Sequence, residues 1–230
     1  MLNFNEIMKQ YKTERSSPIK MIDKNGRFYH VVQRASNRDY IYDNEIAKYR
    51  ANLLARICSM YNVTILFSVV MSTHTHDILI AERWELIAQV IKEVNSAVAR
   101  RIRKKDSNRY TNGRRIFEET PYYRAIHDIV ALMVVSKYVY DNAKDVEDTG
   151  KYVPYSCFWL MRNDRLPKFY KKELYTILFG MTEIELCAFF DAHTITEVRE
   201  IATKRFKAWT KLDNDSFFKV DISLPWLNEC

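Results

Sequence analysis

The chain has 230 residues and a formal net charge of +7. Its length allows one domain with room for an appendage. Its 47% hydrophobic and 28% charged residues are the composition of a globular protein. Its four glycines are dispersed, which argues against a P-loop or a dinucleotide fingerprint and hence against ATP- or NAD-driven chemistry. Four scattered cysteines, a polar N-terminal stretch and no long apolar run predict a cytoplasmic protein with reduced thiols and no membrane span.

Hydrophobic periodicity predicts strands and helices in a mixed order over the first two thirds of the chain. The order is strand, helix, two strands, helix, strand and a further helix. This is the ferredoxin-like α+β pattern, an antiparallel sheet with helices on one face. The fold hosts many functions and identifies none of them. The predicted strands are residues 27–34, 64–70, 73–81 and 114–118, and the predicted helices are residues 43–60, 84–105 and 128–142.

From about residue 152 onward the pattern is helical only. Two Thr-x-x-Glu sequences, which begin at Thr182 and Thr194, have the form of capping boxes that start helices. An apolar stripe then runs at helical spacing through Val198, Phe206 and Trp209. We therefore predict two units, a main domain over residues 1–150 and a helical C-terminal extension over residues 151–230.

Two histidines, His74 and His76, lie two positions apart in the third predicted strand. Successive strand side chains alternate between faces, so both imidazoles would project side by side and could chelate one divalent cation. The triplet is a weak signal on its own, because two polar residues near an exposed strand end would look the same. Metal-dependent amidohydrolases carry a similar triplet, but their long barrels need further ligands that this chain does not supply.

The last helix of the predicted main domain carries a tyrosine and an asparagine one turn apart. Tyr138 and Asn142 are i and i+4, so a phenol and an amide oxygen able to bind metal share one helix face. The alternative is structural, since a helical tyrosine usually packs its ring and hydrogen-bonds its hydroxyl. Tyr140 is turned by about 200° from Tyr138 and cannot share that face.

Three blocks follow one another along the chain: YHVVQRASNRDYIYDN at residues 29–44, SVVMSTHTHDILI at residues 68–80, and residues 117–158, which contain KYVYDNAK. Together they resemble the first strand, the paired-histidine block and the tyrosine block of the HUH-type single-tyrosine (IS200-like) transposases, in particular the REP-associated tyrosine transposases. The chain departs from the family's pattern at several positions, which marks a divergent branch. These positions are Ser72, Thr73, Thr75, Asp77 and Ala143.

The resemblance implies a role for each of the candidate side chains. Tyr138 would be the nucleophile, while His74, His76 and Asn142 would hold a divalent cation. Their nitrogen and oxygen donors, with open coordination positions, suit Mg²⁺ or Mn²⁺. The implied activity is metal-dependent nicking and strand transfer of single-stranded DNA through a 5′-phosphotyrosine intermediate. Residues 1–150 would form the catalytic domain, and no nucleotide cofactor would be needed.

Other tyrosines and histidines are weaker candidates. Tyr122 and Tyr123 match positions of the family's tyrosine block that are not catalytic. The remaining histidines are interpreted as structural, although one of them, His30, stands where the family often carries histidine in its first strand. These histidines are His30, His127 and His193.

Basic residues supply the candidate DNA contacts, in keeping with the excess of positive charge. One group follows the first strand and matches the family's loop. Another lies at and beyond the end of the second helix, where a solvated helix end is the alternative. Tyr110, Tyr122 and Tyr123 are candidates for stacking on unpaired bases. The predicted DNA-binding residues are Arg34, Asn37, Arg38, Arg101, Lys104, Lys105, Arg114 and Arg115.

Two classes of function stay open on the sequence. The first is the strand-transfer enzyme, acting on single-stranded or hairpin DNA in the cytoplasm at the nucleoid, with a homodimer among the candidate assemblies. The second is a catalytically silent or domesticated relative that only binds single-stranded or hairpin DNA. Both histidines, the tyrosine and the asparagine are present, which favours the first. A metal hydrolase of another kind would need an additional carboxylate base near His74, and the sequence does not identify one convincingly.

Overall fold

A computed structural model of the protein describes residues 27–110, 114–148 and 153–205. The strands in this part of the chain are β1 (Phe28–Arg34), β2 (Thr64–Val70), β3 (His74–Ile80), β4 (Tyr122–Ile126) and β5 (Tyr155–Ser156). The α-helices are α1 (Asn44–Met60), α2 (Trp84–Lys105), α3 (Ile129–Asp148), α4 (Cys157–Arg162), α5 (Glu173–Phe179), α6 (Glu183–Ala192) and α7 (Ile195–Arg205).

The strands form one antiparallel sheet in the order β4-β1-β3-β2-β5. The first four strands alternate with α1 and α2 as predicted, so the ferredoxin-like α+β fold is confirmed. β1 and β3 are adjacent, and their pairing sets Arg34 opposite His74 and Val32 opposite His76. The end of β1 and the beginning of β3 therefore lie together at one end of the sheet.

Helices α1 and α2 cover one face of the sheet. The odd-numbered residues of β1 and β3 point to this face. Gln33 accepts a hydrogen bond from Asn95 of α2 at 2.7 Å, and Asp77 forms an ion pair with Arg50 of α1 at 2.5 Å. Because strand side chains alternate, the even-numbered residues of β3, which include His74, point to the opposite face.

Helix α3 and the C-terminal helices cover that opposite face. Phe67 of β2 stacks on Phe158 of α4, with 4.8 Å between the ring centroids, and it also packs against Tyr175 and Phe179 of α5. The Tyr175 hydroxyl donates a hydrogen bond of 2.8 Å to the backbone oxygen of Leu66. Helix α3 packs on α7 in the same layer. The helices after residue 153 therefore contribute to the core of the sheet domain.

The fourth strand is Tyr122–Ile126, whereas the sequence pattern had suggested residues 114–118, and that prediction is wrong. The segment 114–118 makes only a single bridge, to Ala35 beyond the end of β1. The last two residues of β4 are buried beside β1, while Arg114 and Arg115 are exposed. An aromatic and aliphatic run gains more from pairing at a half-buried sheet edge than a basic segment does.

The other predicted strands and helices of the main domain are confirmed to within a residue, except that α3 continues to Asp148. Both capping boxes are present. Thr182 Oγ1 accepts from Glu185 N, and Thr194 Oγ1 accepts from Glu197 N, each at 3.3 Å. The predicted boundary between residues 150 and 151 lies outside the described residues, as do Phe206 and Trp209. None of the helices in the described ranges has the length and apolar character needed to cross a membrane.

Candidate active site

The two histidines of the triplet lie on the sheet face that α3 covers. Because β3 begins at His74, both rings stand at the start of the strand, beside the end of β1. Their ring centroids are 4.9 Å apart, and the ring planes are inclined by 75°. His76 is buried, whereas His74 is partly exposed. The triplet therefore presents two neighbouring imidazoles, one of which is accessible to solvent.

Tyr138 of α3 packs directly against the buried histidine. Its ring centroid lies 5.8 Å from that of His76, with the planes inclined by 81°. The same ring meets His30 of β1 at 6.2 Å and 77°. Aromatic rings favour this edge-to-face packing. The fold thus brings the predicted nucleophile and the predicted metal ligands together from distant parts of the chain.

His30 completes a histidine cluster with His74 and His76. Its ring meets that of His76 edge to edge, with 5.3 Å between centroids and only 12° between planes, and its Nε2 lies 3.0 Å from His76 Nδ1. The interpretation of His30 as a structural histidine is therefore incomplete, because it contacts both a predicted ligand and the predicted nucleophile. Strand alternation alone could not reveal this contact, since it depends on the register between β1 and β3.

The environment of the histidine cluster keeps its imidazoles neutral. Burial, and then two arginines near the end of β1, lowers the pKa of His74 to about 4. Burial, and then Arg124, lowers the pKa of His30 to about 3. Burial, and then the neighbouring imidazoles, holds the pKa of His76 well below its ordinary value. A neutral imidazole retains the lone pair that a metal ligand needs.

The histidine pair fits the donor set of a divalent cation in part. His76 Nε2 is buried and has no hydrogen-bond partner among the described residues. Burying a polar nitrogen without a partner costs free energy, which a hydrogen bond or a metal ion would offset. His74 Nδ1 lies 2.9 Å from Thr73 Oγ1, a contact that orients the ring. No group of three or more His, Cys, Asp or Glu side chains suited to a metal occurs within the described ranges, so an amide, water or substrate oxygen would have to complete the coordination.

Asn142, the predicted third ligand, has a local partner. Its Nδ2 donates a hydrogen bond of 2.7 Å to the backbone oxygen of Tyr138, one turn earlier in α3. Across the part of the chain that is described, no hydrogen bond joins Asn142 to His74 or His76. The structure therefore brings Tyr138 and the histidines together without joining Asn142 to them, and the ligand role of Asn142 stays a prediction.

A cavity of about 610 Å³ adjoins Tyr138 and Asn142, between α3 and the junction of α6 and α7. No member of the histidine cluster lines it. The lining carries Lys137 and four carboxylates, which are Asp141, Asp145, Asp191 and Glu197. Two of these carboxylates are paired with lysines, Asp141 with Lys137 and Asp191 with Lys144.

Tyr140 is held in the core on another side of α3. Its hydroxyl donates to Asp191 at 2.6 Å and accepts from Arg162 at 3.1 Å. Burial, and then the hydrogen bond to Asp191, raises the pKa of Tyr140 well above its usual range. Tyr140 therefore connects α3 to the C-terminal helices, in line with its predicted exclusion from the site.

Tyr122 and Tyr123 lie on β4, two strands away from the triplet. The register sets Tyr122 opposite Val32, which is itself opposite His76, so Tyr122 shares the face of the histidine cluster. Tyr123 points to the face of α1 and α2, and burial raises its pKa. Tyr122 is therefore the alternative to Tyr138 as nucleophile, because the strand register places it on the same sheet face as the histidine cluster.

A buried polar network behind the triplet explains two departures from the family's pattern. Arg50 is fully buried on α1, and its guanidinium bonds Thr75 Oγ1 at 3.2 Å and both carboxylate oxygens of Asp77, at 3.2 and 2.5 Å. The Ser68 hydroxyl donates to the same carboxylate at 2.7 Å. The polar residues between and after the histidines are thus paired with one helical arginine. The sequence feature that could have revealed this network is Arg50 itself, which lies between Ile46 and Leu53 on an otherwise apolar helix face.

Several predicted DNA-binding residues are engaged in ion pairs. Arg101 pairs with Glu45 at 2.8 Å, and Lys105 pairs with Asp43 and Glu45 at 2.7 Å each. These contacts join α2 to the start of α1, so two of the cations in the basic run at the end of α2 are already paired with carboxylates. Prediction from the run of charges alone could not detect the facing carboxylates.

Of the other predicted cations, some form ion pairs and some do not. Arg114 pairs with Asp39 at 3.0 Å, and Arg115 with Glu119 at 3.2 Å. Arg38 and Lys104 are exposed and form no ion pair within the described ranges. In the loop after β1, Asn37 and Arg38 adopt left-handed backbone conformations with φ of 57° and 55°. This loop ends beside Ser72, close to the triplet.

The expected stacking tyrosines are less accessible than predicted. Tyr110 is 5% exposed and lies beneath the guanidinium groups of Arg109 and Arg114, so it cannot stack on a base. Tyr122 and Tyr123 are half-buried in β4. Tyr40, in the loop after β1, is instead 77% exposed and was not singled out by the sequence.

The family model described as "Transposase IS200 like" matches residues 23–142, just over half of the chain. The chain therefore belongs to the IS200-like transposase family, as its sequence blocks predicted. No curated protein sequence matches it. The matched segment contains the histidine cluster and extends to Asn142, and so it includes Tyr138.

Two solved structures are similar to this chain at low identity. One, from Deinococcus radiodurans R1 and described as a candidate transposase, is 17% identical, with a TM-score of 0.38, over 50% of this chain and 88% of that one. The other is the REP-associated tyrosine transposase bound to a REP hairpin, 16% identical, with a TM-score of 0.43, over 68% of this chain and 90% of that one. The family assignment rests on the matched residues and not on these likenesses.

Proposed function

We propose that the protein nicks single-stranded DNA and transfers the strand, with Tyr138 as nucleophile beside a divalent cation bound by His74 and His76. The observation that supports this most strongly is the edge-to-face contact of Tyr138 with the buried His76, at 5.8 Å between ring centroids. The phenol ring of Tyr138 thus packs on an imidazole whose Nε2 has no hydrogen-bond partner among the described residues, in a chain of a transposase family. Single-stranded or hairpin DNA is the proposed substrate.

His74 and His76 would hold the cation, with Asn142 Oδ1 as the predicted third protein ligand. When bound, a Mg²⁺ or Mn²⁺ ion polarises the scissile phosphate and offsets the negative charge that builds up on it. The arginines near His74, Arg34 and Arg38, add positive charge where the phosphate would lie. A bound DNA strand would place the protein at the nucleoid.

The covalent step uses the hydroxyl of Tyr138. Its oxygen attacks the phosphorus, a bond forms between them, and the bond from phosphorus to the 3′-oxygen of the neighbouring nucleotide breaks. The phenolic proton is released, and the departing 3′-oxygen takes up a proton, which leaves a 5′-phosphotyrosine and a free 3′-hydroxyl. A 3′-hydroxyl reverses the same exchange in strand transfer, so the phosphodiester energy is conserved and no ATP is required.

Replacing His74 by alanine should lower cleavage at least about a hundredfold, because loss of a ligand weakens the stabilisation of the phosphate. His74 is the better position for this test, since it is partly exposed at the start of β3. His76 is only 2% exposed, so alanine at that position would also remove packing from the core. Cleavage of end-labelled hairpins in Mn²⁺ measures the effect. Wild-type cleavage by a folded His74→Ala protein would show the site to be misassigned.

Binding of single strands should weaken with salt mainly through the unpaired cations. The log–log slope is about −0.7 for each neutralised phosphate, so Arg38→Gln with Lys104→Gln should flatten it by up to about 1.4. The matched control is Arg101→Gln with Lys105→Gln, which removes cations already paired with Glu45. We expect a smaller change from the control. Equal flattening by both pairs would show that the ion pairs open when DNA binds.

A binding-only protein is the second candidate function. The observation in its favour is the amide of Asn142, which bonds its own helix and not the histidines. A library of end-labelled single-stranded hairpins with Mn²⁺ separates the candidates. A covalent adduct supports the strand-transfer enzyme, and retention of hairpins without any adduct supports the binding protein.

A further inference from the structure

We propose that His30 is a positioning residue that fixes the tautomer of His76, so that His76 Nε2 faces the site with its lone pair. The inference rests on the function proposed above, because it concerns the same site. Its physical basis is the contact of 3.0 Å between His30 Nε2 and His76 Nδ1. Both rings are almost fully buried, at 1% and 2% exposure, so water does not compete for this hydrogen bond.

Two placements of the shared hydrogen are compatible with this contact. If His76 Nδ1 donates and His30 Nε2 accepts, then His76 Nε2 carries a lone pair. If the roles are reversed, His76 Nε2 carries a proton and cannot bind a cation. In either placement His30 Nδ1 and His76 Nε2 have no partner in the described part of the chain. Only the first placement is compatible with a cation on His76 Nε2, so the acceptor on His30 and the binding of a cation are thermodynamically linked.

The packing around the two rings holds this hydrogen bond in place. The rings meet edge to edge with 12° between their planes, and the ring of Tyr138 packs nearly perpendicular to both of them. His30 is opposite Ile78 in the pairing of β1 with β3, two residues from the Val32–His76 pair on the same face. His30 cannot turn away without disturbing the ring of Tyr138. It therefore links the predicted ligand and the predicted nucleophile into one unit.

Three variants separate the shape of the ring from its hydrogen bond. His30→Phe keeps an aromatic ring but removes the acceptor. His30→Gln offers an acceptor oxygen at about the reach of Nε2. The matched control is His193→Gln, because His193 bonds the backbone oxygen of Phe189 at 2.8 Å and lies outside the histidine cluster.

Calorimetric titration of the full chain with Mn²⁺, without DNA, is the primary readout. We expect His30→Phe to weaken Mn²⁺ binding by about 10- to 100-fold, the scale seen when the partner of a ligating histidine is lost. His30→Gln should restore most of the affinity, and His193→Gln should match the wild type. Binding of single-stranded DNA without a cation should be the same in all four proteins, which a general loss of structure would not allow.

The outcomes distinguish this inference from the proposed function. A folded His30→Phe protein with wild-type Mn²⁺ affinity would overturn the role of His30 while leaving the site intact. If His74→Ala also binds Mn²⁺ like the wild type, the histidine pair is not the metal site and both proposals fall. Should His30→Phe fail to fold, the imidazole ¹⁵N chemical shifts of the wild-type protein in Mg²⁺ determine which nitrogen of His76 carries the proton. A proton on His76 Nδ1 supports the inference, and a proton on His76 Nε2 overturns it.

Discussion

Replacing Tyr138 by phenylalanine should abolish covalent attachment to DNA while binding of DNA and Mn²⁺ stays at the wild-type level. The substitution removes one oxygen and keeps the ring that packs against His30 and His76. The candidate ligands are untouched, so loss of activity would not come from loss of the cation. We expect strand cleavage to fall on the order of 10⁴-fold or more, the scale seen when an enzyme loses its nucleophile. Denaturing gels of end-labelled hairpins measure strand cleavage and covalent attachment.

Two matched tyrosine variants serve as controls for Tyr138→Phe. Tyr140→Phe loses its hydrogen bonds to Asp191 and Arg162 and should be less stable by about 1–3 kcal/mol, but still active. Tyr122→Phe should also stay active. An adduct that persists in Tyr138→Phe and disappears in Tyr122→Phe would move the nucleophile to β4. Retention of cleavage in every variant would indicate a nuclease that uses water.

Replacing Asp77 by asparagine should lower the free energy of unfolding by about 3–5 kcal/mol. The change leaves the guanidinium of Arg50 buried without its carboxylate, and an uncompensated buried charge is among the most destabilising changes known. Both side chains of this pair have 0% exposure. Equilibrium unfolding in urea, followed by far-ultraviolet circular dichroism, measures the effect. The histidines on the opposite face of β3 are not altered, although the strand that carries them is.

The double variant Arg50→Met with Asp77→Leu should recover part of this stability, because apolar residues of similar volume can replace a buried ion pair, although the hydroxyls of Ser68 and Thr75 lose their partners. Arg115→Gln is the surface control. It removes an ion pair whose side chains are 66% and 77% exposed, and its effect should be far smaller. An Asp77→Asn protein as stable as the wild type would contradict the account of the network. So would a double variant no more stable than the single one.

Much of the fold was accessible to sequence reasoning because strong periodicity marks most of its elements. The apolar stripe of α2 and the alternation in β1 predicted both elements, and the order of elements predicted the ferredoxin-like sheet. The fourth strand was misplaced because residues 114–118 and 122–126 are both short runs without strict alternation, and only burial beside β1 distinguishes them. A pattern within one segment contains no information about which neighbour it will pair with.

The candidate site was predictable only for the residues that belong to a recognisable sequence motif. The spacing of His74, His76 and Tyr138 was visible in the chain, and the fold places these residues together. The roles of His30 and Arg50 were not visible, because each depends on a partner brought close by strand register or by helix packing. The ion pairs that neutralise Lys105 depend in the same way on how α1 and α2 pack. Local charge patterns show which residues are basic but not which of them are free.

Tyr138 forms the covalent bond to DNA in the proposed reaction, and locating the attached nucleotide on the protein distinguishes it from every other tyrosine. Wild-type protein trapped on hairpin DNA in Mn²⁺ would be digested with nuclease and trypsin. Cleavage after Lys137 and Lys144 releases YVYDNAK, and cleavage after Arg115 and Arg124 releases IFEETPYYR. Fragment masses should place the nucleotide on the first tyrosine of YVYDNAK, and it should be absent without Mn²⁺ and in His74→Ala. A nucleotide on the second tyrosine of that peptide or on IFEETPYYR, or no modified peptide at all, would contradict the account.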